Sequence, residues 1–264
     1  MNETPVLATL DGGVLTLTLN RPERLNAMNN ALIEAMNREL ARARADENIR
    51  AVLLTGTGRG FCAGADLAGG SPVDFAVGPP DLGADMERIF NPMICAMREL
   101  PKPIVGAING VAAGGGANFA LACDIILVAR SARFDQAFVR ISLLPDLGGT
   151  WFLPHAVGDA RARALAMLGT SLTAEEAERM GMVWQVVDDA ALMGEATKLA
   201  RRLATGPTLS YAAIKRAINL AATNTLDQQL DLERDSQKML GQSADCREGV
   251  AAFLAKRPAQ FTGK

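Results

Sequence analysis

At 264 residues, 49% of them hydrophobic and 21% charged, the chain can bury about three quarters of its unfolded surface, so it needs no disulfide to hold a core. A net charge of −2 offers little to nucleic acid or to an anionic membrane. Aromatic residues at 5% weaken a base-stacking role as well.

The elements follow in chain order. Val14–Leu19 alternates Leu and Thr, the period of a half-buried strand. Leu32, Ala35, Met36, Leu40 and Ala43 recur at helical spacing, with Asn29 or Asn30 as the N-cap. Residues 51–55 form a second apolar strand. Residues 69–83 are rich in Gly, Pro and Asp and predict a mobile loop. Residues 87–100 predict a helix that stops at Pro101, and strands follow at Ile104–Ile108 and 124–129. The apolar stretch 111–129 invites a membrane span. Its three consecutive glycines, Asn118 and Asp124 favour a buried helix leading into a buried strand instead.

Thr173-Ala174-Glu175-Glu176 is a capping box. It opens a helix ending near Gly181, and residues 183–187 are extended. From 189 onward only helices are predicted, at 190–204, 209–222, Leu226–Leu240 and 245–256. Their amphipathic pattern requires a surface to pack on. Strands alternating with helices give an α/β class with parallel pairing. The chain divides into a core at 1–188 and a helical region at 189–264.

The four cysteines, Cys62, Cys95, Cys123 and Cys246, show no CxxC spacing. They read as reduced thiols of a cytoplasmic protein, and no signal-peptide order is visible at the N-terminus. Several catalytic devices are absent: there is no GxxxxGK phosphate loop, no GxSxG elbow and no full dinucleotide fingerprint. His155 is the single histidine, so neither a histidine metal site nor a Ser-His-Asp triad is expected. Surface or capping duty suits it better.

Two segments remain, residues 58–67 (GRGFCAGADL) and 109–118 (NGVAAGGGAN). Each follows a predicted buried strand. Gly and Ala dominate both, so a ligand can come close to backbone N–H groups. Either segment alone reads as a tight turn. Side by side, they could direct one N–H each at a single oxygen, an oxyanion hole for an enolate or a tetrahedral intermediate. Such a site needs a base. Asp146, among Leu143-Leu144-Pro145 and Leu147-Gly148-Gly149, sits where burial would raise its pKa toward working pH. Its position before a helix beginning near Thr150 suits an N-cap equally well. Asp66 suits shaping the first loop, Asp124 a hydrogen-bonded structural role, and Asp135 no chemistry. Cys62 lacks a nearby histidine and is a poor nucleophile candidate.

From about residue 6 to the end, these residues resemble the crotonase (enoyl-CoA hydratase/isomerase) superfamily. The resemblance rests on both glycine loops and on Asn20-Arg21-Pro22-Glu23-Arg24-Leu25-Asn26-Ala27. It implies a spiral of repeated ββα turns with a C-terminal helical region that builds a trimer or a dimer of trimers. It also implies that the Ala65 and Gly115 N–H groups hold a thioester carbonyl. The two water-activating glutamates of the family's hydratases match Asn118 and Phe138, neither of them acidic. Leu143-Leu144-Pro145-Asp146-Leu147-Gly148-Gly149-Thr150-Trp151 is similar, in an offset form, to the branch acting on ring 1,2-epoxides of phenylacetyl-CoA, with Asp146 as acid/base. That branch implies an isomerase shifting a double bond through an enolate and giving an oxepin thioester. The alternatives are a hydratase using one carboxylate and a non-catalytic acyl-CoA binding protein. Coenzyme A would enter as part of the substrate, with no metal or redox cofactor. Substrate contacts are expected from Arg24, Ala63, Asp66, Leu67, Asn118 and Phe138, and from Phe261 and Lys264 of the tail. No nucleic-acid or membrane partner is implied.

Overall fold

A computed structural model describes residues 4–67 and 81–264, which leaves most of the loop expected at 69–83 outside the described residues. Strands β1 (Val6–Asp11) and β2 (Val14–Leu19) form an antiparallel hairpin. Gly12 and Gly13 turn it at φ 56° and 80°, a region costly for side-chain-bearing residues. Helix α1 (Asn30–Ala45) is capped by Asn29, whose side chain accepts from the Leu32 N–H at 3.0 Å. The apolar positions read from the sequence are its buried face.

Three ββ units then repeat: β3 (Ala51–Gly56) with β4 (Gly60–Cys62), β5 (Ile104–Ile108) with β6 (Val111–Ala113), and β7 (Ile125–Ala129) with β8 (Arg133–Asp135). In each unit the first strand joins a six-stranded sheet and the second a four-stranded one. With β9 (Ser171–Thr173) and β10 (Gln185–Val187), the orders are β1-β2-β3-β5-β7-β10 and β4-β6-β8-β9. Pairing is parallel except at β1–β2 and β8–β9. The large sheet's central strands are covered on both faces, which explains their unbroken apolar runs. This is the expected ββα spiral.

The helix expected at 87–100 is interrupted. A short α2 (Leu82–Asp85) runs through a π-helical turn at Met86–Phe90 into α3 (Asn91–Glu99). Pro92 lies at the start of α3. It has no N–H to donate to the turn before it, and a wider turn accommodates that loss. Downstream lie α4 (Gly115–Leu121), α5 (Gly149–Val157), α6 (Asp159–Leu168) and α7 (Ala174–Arg179), the last opened by the Thr173–Glu176 capping box.

The C-terminal helices are α8 (Leu192–Ala204), α9 (Thr208–Ala221), α10 (Leu226–Leu240) and α11 (Ala244–Leu254). Helix α8 lays Ala196 and Ala200 on β3 and β5 and so completes the sheet's cover. By contrast, α9–α11 leave large apolar side chains in solvent, among them Ile218, Leu226, Val250, Leu254 and Phe253, which is 82% exposed. Among the described residues no helix is long and apolar enough to cross a membrane.

A partly buried ionic cluster fastens α9 to the spiral. Asp124, just ahead of β7, accepts from the Ile104 N–H at 2.8 Å and from Lys215 Nζ at 2.8 Å. Arg98 lies 3.9 Å from its other oxygen. Lys215 is the buried residue of α9 and also donates to the Met97 carbonyl at 2.7 Å. Burial lowers its pKa, against the pull of Asp124. The Arg98 guanidinium lies over the rings of Trp151 and Phe152 on α5. Asp124 is therefore the structural carboxylate expected from the sequence. Lys215→Met, which removes one partner from this cluster, should lower unfolding free energy by about 3 kcal/mol. Urea unfolding at pH 7 measures it; a loss below ~1 kcal/mol would show that the cluster does not hold α9.

Candidate active site

Parallel pairing of β4 with β6 sets the two glycine loops against each other. At Gly116, a Cβ would penetrate the Cys62 carbonyl of β4, so only glycine allows α4 to begin there. A Cβ on Gly64 would lie 3.2 Å from the Gly115 nitrogen, which measures how close the loops are. In the first loop, the Met28 N–H donates to Gly64 at 2.7 Å and the Asp66 N–H to Met28 at 2.9 Å. Alternation along this bridge turns the Ala65 N–H to the other side. In the second loop, Ala117 and Asn118 donate to the Gly114 carbonyl. Gly115, first residue of α4, has no carbonyl four residues back within the helix. Among the described residues, neither the Ala65 nor the Gly115 N–H reaches a protein acceptor.

Asp146 stands over this second loop. A Cβ on Gly115 would lie 3.2 Å from Asp146 Oδ1 and 2.6 Å from Leu147 Cδ1, so alanine there would press on the carboxylate and its neighbour. Asp146 Oδ1 is buried without a hydrogen-bond partner. Burial pushes the carboxyl up to about 6, while the residue's own N–H pulls the other way. The alternative reading of Asp146 as a helix cap is excluded. Helix α5 starts without a side-chain cap, and Asp146 gives Gly149 only its backbone carbonyl, at 2.8 Å.

Asp66, nearly fully buried, pairs with Arg21 at 2.7 Å and shapes the first loop, as expected. Ala63 donates to the Leu25 carbonyl at 3.0 Å, beside the exposed Arg24. Leu67 is half exposed at the edge of the described residues. The Phe138 ring is buried, 3.9 Å from where a Gly114 Cβ would be.

Asn118 is held within the chain. It is fully buried, and both ends of its amide are engaged: Nδ2 donates to the Asp146 carbonyl at 2.8 Å, and Oδ1 accepts from Gln136 at 2.9 Å. Phe261 and Lys264 are anchored elsewhere in the chain. The Phe261 carbonyl accepts from Arg50 at 3.1 Å and Lys264 lies 3.5 Å from Glu47. Both partners precede β3, whereas the first glycine loop follows β4, beyond the other end of that strand. Gln136 and Leu147, which the sequence did not single out, are local supports that no spacing pattern marks.

Other candidates fall away. Burial pushes the Cys62 thiol up to about 12, too high for a nucleophile at neutral pH. His155 stacks on Trp151 and bonds its carbonyl at 2.6 Å. It lines a cavity of about 1110 Å³ between α5, β7, α8 and α9. The carboxylate that lines it, Asp124, is already bound by Lys215 and the Ile104 N–H, so the glycine loops are the stronger candidate for chemistry.

A family model described as Enoyl-CoA hydratase/isomerase matches residues 9–264. The chain belongs to the enoyl-CoA hydratase/isomerase family. The 1,2-epoxyphenylacetyl-CoA isomerase of Escherichia coli (strain K12) is 55% identical over 98% of each chain. The trans-2-decenoyl-[acyl-carrier-protein] isomerase of Streptococcus mutans is 36% identical over 100% of each. An enoyl-CoA hydratase from Bacillus anthracis, solved crystallographically, superposes with a TM-score of 0.91 at 29% identity, covering 98% of this chain and 100% of that one. The family thus includes isomerases and hydratases on one scaffold, and residues around the loops must separate them.

Burial of Asp146 has a measurable cost. Its pKa is raised from 3.8 to about 6, so the stability of its neutral form is complete below about pH 4 and lost as pH rises through 6. Asp146→Asn should therefore be the more stable protein at pH 8, by up to about 3 kcal/mol, with the gap closing below pH 4. Denaturation at both pH values tests this; a pH-independent gap would contradict it.

Proposed function

We propose that this chain is an acyl-CoA isomerase that moves a proton, and with it a double bond, through a thioester enolate. One observation carries the reading: a single buried carboxylate, with an unpartnered oxygen, stands over the Gly115 loop. The Ala65 and Gly115 N–H groups polarise the thioester carbonyl and stabilise the negative charge that develops there. Asp146, mostly ionised at neutral pH but close enough to pH 7 to return its proton, takes the proton from one carbon and delivers it to another. Nothing is oxidised or reduced, so the step needs no electron acceptor, and coenzyme A enters only as part of the substrate.

Identity with the E. coli isomerase supports the ring 1,2-epoxide of phenylacetyl-CoA as substrate and the oxepin thioester as product. Asn118 and Phe138, at the two positions where the resemblance expects acids in a hydratase, leave no second carboxylate beside Asp146 to hold water. A cytoplasmic location fits the four free cysteines. We further propose that the protein is a homo-oligomer, a trimer or a dimer of trimers, because the exposed faces of α10 and α11 are too apolar to remain in water.

Asp146→Asn keeps size and removes the proton acceptor. It should slow isomerisation ~10²–10⁴-fold while acyl-CoA still binds. A 3-enoyl-CoA gains ultraviolet absorbance as it conjugates, and a 2-enoyl-CoA loses it on hydration. Half the turnover surviving in the variant would refute the base assignment, and loss of 2-enoyl absorbance would indicate a hydratase. In the unaltered enzyme kcat/KM should fall below about pH 6, following ionisation of Asp146. For assembly, Phe253→Glu should dissociate the oligomer. Light scattering at micromolar concentration checks this, and a fully active monomer before substitution would rule the assembly out.

A further inference from the structure

The segment carrying Asp146 is strained and needs an external hold. Leu147 follows it at φ 47° and Gly148 at φ 79°. A left-handed leucine is unfavourable and persists only where its surroundings fix it. Two hydrogen bonds to the Asp146 carbonyl provide the hold, from Gly149 and from Asn118, each at 2.8 Å. The Gly149 bond is local and belongs to the turn itself. The Asn118 bond ties the turn to α4, and therefore to the loop that carries the Gly115 N–H.

That tie works in only one orientation of the Asn118 amide. With Nδ2 toward Asp146 it donates; turned over, Oδ1 would face the Asp146 carbonyl and repel it. The two ends of the amide are nearly the same size, so packing does not choose between them. Two contacts do. The Asp146 carbonyl can only accept, which calls for Nδ2, and Gln136 Nε2 donates to Asn118 Oδ1 at 2.9 Å, so the same orientation is held from the other end while Gln136 Oε1 stays without a partner. Gln136 is 4% exposed and Asn118 0%, so water does not compete for either bond. A Cβ on Gly149 would collide with the Asn118 amide, so the three residues are packed in contact.

We propose that Gln136 is a positioning residue for the proton transfer: by fixing the Asn118 amide it holds the Asp146 carboxylate over Gly115. Gln136 touches neither substrate nor the reacting atoms; it acts through Asn118. The inference rests on the reading of Asp146 as the base, and Asp146→Asn serves as the control that separates the two.

The test is a double-mutant cycle on the full-length protein with a 3-enoyl-CoA substrate, at 15 °C on samples checked by circular dichroism. Gln136→Met removes the donor and keeps the volume. Gln136→Asn keeps a buried amide but withdraws it by one methylene, and carries the same expectation if the methionine variant does not fold. Each should lose about tenfold or more in kcat, with KM within twofold. The acid limb of kcat/KM should move down by about one pH unit, because a released carboxylate gains water. Asn118→Ala should behave alike, and the Gln136→Met/Asn118→Ala protein should be no slower than Asn118→Ala alone. Multiplied losses in the double variant, or folded Gln136 variants with kcat within twofold and an unmoved acid limb, would overturn the proposal. If Asp146→Asn remains active, the base assignment fails instead; if it is inactive while the Gln136 variants are normal, the relay alone fails.

Discussion

The close approach of Gly116 to the Cys62 carbonyl is the constraint on which the site depends. No side chain fits between α4 and β4, so helix and strand backbones meet directly. That contact fixes where α4 begins and therefore where its first unpaired N–H lies. Because β4 and β6 pair in parallel, the loop after each strand emerges at the same edge of the small sheet. One loop then offers Ala65 and the other Gly115. The large sheet takes no part in this geometry except to hold the units in order, each delivering its second strand to the small sheet.

The carboxylate shows the opposite economy of contacts. Most buried polar atoms have partners, yet Asp146 Oδ1 has none. Its surroundings are Gly115, Leu147 and the apolar turn, which disfavour the charged form and raise its basicity. The turn that carries it is tied down: the Asp146 carbonyl accepts two hydrogen bonds, and both ends of the Asn118 amide are bonded, although Gln136 Oε1 behind them has no partner. The carboxylate oxygen is thus left open while its backbone is held.

The elements with strong periodicity were legible in the sequence. Leu226–Leu240 forms as predicted, and the capping box at Thr173 and the Asn29 cap are present. Those signals are local, since a side chain bonds an N–H two or three residues away. The π-helical turn ahead of Pro92 was not anticipated, because the apolar pattern of 87–100 continues through it. At the site, the glycine loops and Asp146 stood out because their residue types are unusual for buried turns. Asp146 itself was ambiguous between base and cap, since local sequence does not tell a desolvated carboxylate from one facing a helix end. The orientation of Asn118 was not readable at all. It depends on Gln136 and Asp146, 18 and 28 residues away. The anchoring of the tail was not readable either, since the bond from Arg50 to the Phe261 carbonyl spans 211 residues.

The cluster of Asp124, Lys215 and Arg98 restricts how the sequence can change over time. Asp124 joins the edge of β5 to α9, and Arg98 extends the link to the rings of α5. Replacing any one of the three leaves the others as poorly compensated, partly buried charges. Replacing them together by apolar residues of similar volume removes that penalty. Paths of single substitutions must therefore cross a less stable intermediate, and a lineage that carries the triad tends to keep it even where an apolar core would serve as well.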